Sequence, residues 1–91
     1  MEFTSLQGHV TATFQELVEA FGAPTYSEPS GDGKVNTEWE LILGTDAVRA
    51  TIYDWKDFDR GRRSRDGQPY DWHIGGKSAM AVAAVMEKLN A

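Results

Sequence analysis

Between Phe14 and Phe21, apolar residues fall at Phe14, Leu17, Val18 and Phe21. That i, i+3, i+4, i+7 spacing lines one stripe of a helix. Thr13 precedes the stripe and Glu16 follows three residues later, the pattern of a capping box with Thr13 as N-cap. Gly22 and Pro24 stop the helix. A short strand over roughly 3–10 precedes it. Residues 25–34 are turn-rich, with Gly31-Asp32-Gly33 as the clearest break. From Val35 to Leu43 the period changes to two: Val35, Thr37, Trp39, Leu41 and Leu43 face one side, and Asn36, Glu38 and Glu40 the other. This predicts a half-buried strand with Trp39 in the core. Gly44-Thr45-Asp46 makes a short hairpin connection into a second strand over Ala47–Trp55. Here Val48, Ala50 and Ile52 form the apolar side, and Arg49, Thr51, Tyr53 and Trp55 share the opposite side. A polar loop covers 56–69. Tyr70-Asp71-Trp72-His73-Ile74 is a third strand, with Trp72 and Ile74 on one side and Asp71 and His73 on the other. Gly75-Gly76-Lys77-Ser78 then turns into a closing helix with Ser78 as N-cap. Its stripe is Val82, Val85, Met86 and Leu89.

The order is helix, strand, strand, strand, helix, with a leading strand before them. Each helix has one apolar face to bury. The expected fold is therefore α+β, a small antiparallel sheet of three to four strands with two amphipathic helices packed on one face. The other sheet face then carries Glu38, Glu40, Arg49, Tyr53, Trp55, Asp71 and His73, and calls for a ligand, a second subunit or a covering segment of the chain.

Ninety-one residues fit one domain, 1–91, and 41% hydrophobic residues with three tryptophans suffice for a core. No cysteine is present, so disulfides and thiolate metal sites are excluded. Met1-Glu2-Phe3-Thr4-Ser5 lacks a basic stretch before an apolar run, so no signal peptide is expected, and the longest apolar run, within 79–86, is too short to span a bilayer. A cytoplasmic protein is the expectation. The net charge of −5 is uneven. Residues 1–54 hold nine acids and two bases, whereas residues 55–91 hold seven bases and five acids. Four of those bases crowd into Arg60, Arg62, Arg63 and Arg65. A basic cluster in an acidic chain reads as a local anion site, or equally as a solvated loop.

Gly75-Gly76-Lys77-Ser78 resembles part of a phosphate loop. The Walker pattern requires a glycine separated by four residues from the Gly-Lys pair, and that position is Asp71. An NTPase is therefore not indicated. A strand running through two glycines into a helix start would still expose backbone N–H groups with Lys77 beside them, or the glycines would merely make a tight turn. His73 with Asp71 forms an i, i+2 pair on one strand face, but Ser64, Ser78 and Thr51 show no nucleophile motif. His9 stands apart, and two histidines with unspaced carboxylates are no metal motif. No catalytic residue and no cofactor is implied. Tyr53, Trp55, Arg62, Arg63 and Arg65 pair aromatic faces with guanidinium groups. That combination suits a nucleotide, and it equally suits a protein interface. The candidate ligand-binding set is Tyr53, Trp55, Arg62, Arg63, Arg65, His73, Gly75, Gly76, Lys77 and Ser78.

The chain resembles a family of short, uncharacterised tailed-bacteriophage proteins. The shared frame runs through Glu16-Leu17-Val18-Glu19-Ala20-Phe21-Gly22-Ala23-Pro24-Thr25, Glu38-Trp39 and Thr51-Ile52-Tyr53-Asp54-Trp55-Lys56. It closes with Tyr70-Asp71-Trp72-His73-Ile74-Gly75-Gly76-Lys77-Ser78, whose Trp-His-Ile-Gly-Gly segment is the most distinctive part. The resemblance covers most of the chain. It implies a phage protein acting in the host cytoplasm and carries over no catalytic residue. Small phage proteins of this size suggest, by analogy, anti-defence factors. One form is a homo-oligomeric sponge that sequesters a nucleotide-like immune signal. Another is an inhibitor, such as an anti-CRISPR, that blocks a host defence complex through its acidic surface.

Overall fold

A computed structural model describes residues 5–25, 37–44, 47–54 and 67–90. Its elements are β1 (Ser5–Ala12), α1 (Phe14–Phe21), β2 (Glu38–Leu43), β3 (Val48–Tyr53), β4 (Tyr70–Gly76) and α2 (Met80–Leu89). The fold is α+β, with one four-stranded antiparallel sheet in the order β1-β4-β3-β2. None of the helices among the described residues is long and apolar enough to cross a membrane.

The local signals account for most of these elements. Thr13 is the N-cap of α1: its Oγ1 accepts from the Glu16 N–H at 3.0 Å, and the Glu16 carboxylate accepts from the Thr13 N–H at 2.9 Å. Both reciprocal bonds satisfy donors that the first helical turn leaves orphaned. Leu17 carries the stripe of α1 into the core, flanked by Phe14, Val18 and Phe21. The β2–β3 hairpin turns through Gly44 at φ 73° and Ala47 at φ 51°, so Ala47 belongs to the turn and the strand begins at Val48.

Both helices cover one face of the sheet. The core is Val10, Ala12, Leu17, Trp39, Ala50, Ile52, Trp72, Ile74, Ala81 and Val85. Trp39 and Trp72 meet edge to face at 5.4 Å, an arrangement that aromatic quadrupoles favour. Each buried indole N–H finds a carbonyl at 2.9 Å, Trp39 on Gly22 and Trp72 on Ala12. These two bonds fix the end of α1 and the end of β1 to the sheet. Beyond the last pair of β2 and β3, Asp54 clasps Thr37: its carboxylate accepts from the Thr37 N–H at 2.9 Å, and its own N–H donates to the Thr37 carbonyl at 3.2 Å.

Several boundaries depart from the sequence expectations. β1 runs from Ser5 to Ala12, two residues beyond the expected end. β4 does not end at Ile74 but continues through Gly75 and Gly76, both buried and paired on either side with β1 and β3. The reason is packing under α2. A Cβ on Gly76 would lie 2.5 Å from Ala81 Cβ, and one on Gly8 would lie 2.9 Å from Val82 Cγ2. The two glycines let α2 settle against the sheet. That close approach also rotates the helix: Ala81 and Val85 are buried, while Met86, expected in the stripe, is exposed. The N-cap is Ala79 and not Ser78, although the Ser78 hydroxyl still accepts from the Met80 N–H at 3.3 Å.

Neither sheet edge is a plain ladder. On β2 the Glu40 N–H, turned away from β3, donates to Thr25 Oγ1 at 2.9 Å. On β1 the register slips between Leu6 and Gly8 at a bulge, where the Gln7 amide donates to the Gly76 carbonyl at 3.1 Å.

Candidate functional site

The face of the sheet away from the helices is built in cross-strand rows. His9, His73, Tyr53 and Glu38 stand opposite one another across β1, β4, β3 and β2. The His9 and His73 rings meet edge to face with centres 4.6 Å apart, and Tyr53 meets His73 at 5.4 Å. Asp71, in the adjacent row opposite Thr11, places Oδ2 3.3 Å from His9 Nδ1. The next row toward the start of α2 is Leu6, Gly75, Thr51 and Glu40, followed by Arg49 opposite Ile42.

This face is less open than alternation implies. Thr51 is only 2% exposed and Gly75 is buried, so the middle is closed. Glu38, Glu40, Tyr53 and His73 are half-buried, whereas Arg49 and Asp71 on the rims are exposed. Burial sets the electrostatics of the row. It raises the Glu38 carboxyl above its ordinary pKa, with Glu40 adding a like charge and a hydrogen bond that favours the proton. It raises the Tyr53 phenol, helped by the Glu38 charge. It lowers His73, an effect that His9 reinforces and Asp71 opposes. In each case loss of hydration disfavours the charged form.

A second arrangement lies at the end of β3 and β4. The β3–β4 ladder ends at the pair Ala50 and Gly76, with Arg49 and Lys77 the next residue on each side. Together with Ala47, Val48, Ser78 and Met80, these two cations line an open groove of about 320 Å³ at the start of α2. Neither cation makes an ion pair among the described residues. Like charges lining one groove repel, so a counter-charge would be accommodated here.

The expected candidate set is therefore divided. Lys77 and Ser78 line the cationic groove, and Tyr53 and His73 share the ring row. Gly75 and Gly76 do not form a loop of free N–H groups: both lie within β4, where ladder bonds and helix packing account for them. Trp55, Arg62, Arg63 and Arg65 lie outside the described residues, as does the Gly31-Asp32-Gly33 turn. Two residues gain importance from the structure. His9 is the cross-strand partner of His73, and Arg49 is the neighbour of Lys77. Strand alternation marks Arg49 as outward-facing, but only the fold brings it into one groove with Lys77. The partner of His9 is set by the β1–β4 register, which no local pattern announces.

Among the described residues, no three of His, Cys, Asp and Glu are grouped as metal ligands. Compared with protein-family models, curated proteins and solved structures, the chain finds no match.

Proposed function

We propose that this chain is a non-enzymatic binding protein for a nucleotide-like anion, acting in the manner of a phage anti-defence sponge within a host cytoplasm. The observation that carries this reading is the groove at the start of α2 that Arg49 and Lys77 both line, where neither cation has an ion-pair partner among the described residues. Phosphate oxygens are the natural partner of two converging cations, with the Ser78 hydroxyl as a further donor. The partial positive charge of the helix terminus adds a small favourable increment. Arg60, Arg62, Arg63 and Arg65 supply four more of the nine Lys and Arg residues in the sequence. A single chain of this size does not enclose a dinucleotide, so a homo-oligomer belongs to the proposal.

Calorimetry against a panel of cyclic nucleotides, ADP-ribose derivatives and inorganic phosphate tests the reading. A charge-assisted hydrogen bond contributes roughly 1.5–3 kcal/mol, so Arg49→Ala and Lys77→Ala should each weaken binding about 10- to 150-fold. Both residues are exposed, so folding should be unchanged. Silence across the panel at millimolar ligand, or affinity indifferent to both substitutions, overturns the assignment. The second reading, a protein blocker, draws on the acids Glu16, Glu19, Glu38 and Glu40, which lie on α1 and β2. Stoichiometric capture of a basic host protein, without a small molecule, favours it.

A further inference from the structure

We propose that His9 and His73 form a chelating site for a divalent late-transition cation of the zinc, nickel and copper class, with Asp71 as a positioning residue. Three observations converge on it. First, the two histidines are directly opposite in the antiparallel β1–β4 pair, so the backbone fixes their separation. Second, their ring centres are 4.6 Å apart. With metal–nitrogen bonds of about 2.0–2.1 Å and each ring centre about 1.2 Å behind its nitrogen, a 90–110° bite places the centres about 4.5–5.3 Å apart. The observed spacing falls within that interval. In the edge-to-face contact one ring aims its edge at the face of the other, so one ring must turn about its Cβ–Cγ bond before both nitrogens meet at a shared point. His9 and Asp71, with side chains 46% and 64% exposed, have room to turn together.

Third, Asp71 Oδ2 lies 3.3 Å from His9 Nδ1. A carboxylate there holds the proton on Nδ1 and leaves the Nε2 lone pair available. Metal-binding imidazoles are commonly oriented by such a carboxylate behind the ring. Imidazole nitrogen suits zinc, nickel and copper better than magnesium or calcium, which prefer all-oxygen sites. Two protein ligands leave the remaining coordination positions to water. The site is separate from the Arg49–Lys77 groove, and neither assignment depends on the other.

Zinc titration of the purified chain by calorimetry, after treatment with chelator, is the direct test. One zinc per chain is expected. His9→Asn and His73→Asn should each weaken binding more than about 10-fold, because chelation by two rings becomes binding by one. Asp71→Asn should weaken it by about 10-fold while leaving both imidazoles in place. Zinc affinity that is unchanged in either histidine variant overturns the site. A second measurement needs no substitution. Substoichiometric Cu²⁺ added to the unmodified protein should broaden the ring proton signals of His9 and His73 together. Broadening of His9 alone, or of neither, would refute chelation.

Discussion

The close packing of Ala81 on Gly76 supports a quantitative prediction. In Gly76→Ala the new methyl would sit 2.5 Å from Ala81 Cβ and 3.2 Å from the Arg49 carbonyl oxygen. The first distance is well inside van der Waals contact, and the second neighbour is backbone held in a ladder, so α2 must lift from the sheet. Forcing one extra methyl into a packed core costs about 1–3 kcal/mol. The reduced freedom of the unfolded chain returns about 0.4–1 kcal/mol. Taking the middle of each range, the net loss is about 1.3 kcal/mol, and a domain of this size loses about 4–8 °C in Tm per kcal/mol. A Tm drop of about 5–10 °C is expected by calorimetry or circular dichroism. The cause is checked with a second change. Ala81→Gly removes the opposing methyl at the cost of about 1 kcal/mol in helix propensity. If the clash is the mechanism, the double variant Gly76→Ala/Ala81→Gly should be no less stable than Ala81→Gly alone, giving a coupling of about 1–2 kcal/mol. Additive losses, or a Gly76→Ala protein as stable as the parent, would refute the packing account of the β4 glycines.

Three further predictions concern single groups. Thr13→Ala removes the N-cap acceptor of α1 and should cost about 1 kcal/mol, measured by urea unfolding with an unchanged m-value. Thr37 is buried and its hydroxyl oxygen has no hydrogen-bond partner among the described residues; Thr37→Val should therefore raise stability by up to about 1 kcal/mol, and a loss of that size would refute it. Glu38 has a folded pKa above its ordinary value, so its contribution is fully present in acid and is lost as pH rises through that folded value. Glu38→Gln should accordingly be more stable than the parent at about pH 7.5, with the advantage vanishing near pH 3.5; thermal melts at both pH values check this, and a pH-independent difference would refute it.

The helix cap, the alternation of β2 and the core positions of Trp39, Trp72 and Ile74 were legible in the sequence because each rests on neighbours within a few residues. The extension of β4 through its glycines was not. Two glycines after a strand suggest a turn, and only the proximity of Ala81 and Val82 explains why glycine stands at Gly76 and Gly8. The same limit applies to the candidate sites. Lys77 and His73 could be singled out from local chemistry. Their partners Arg49 and His9 come from strands 28 and 64 residues away in the chain, and are set by registers fixed only when the sheet forms. Met86 was placed in the buried stripe by periodicity, yet the contact with small residues beneath α2 turns Ala81 inward in its place.

The Thr25 hydroxyl on the Glu40 amide and the bulge at Gln7 have a consequence for how other molecules can engage this protein. A strand offered from outside would need a regular row of free amides and carbonyls. One border has an amide already taken, and the other is kinked out of step. Growth of the sheet by strand addition is thereby discouraged at both borders, which protects a small β-rich chain from stacking into fibrils when it accumulates to high concentration. Recognition is directed instead to side chains on its faces, where the partner is chosen by charge and ring chemistry and not by backbone complementarity.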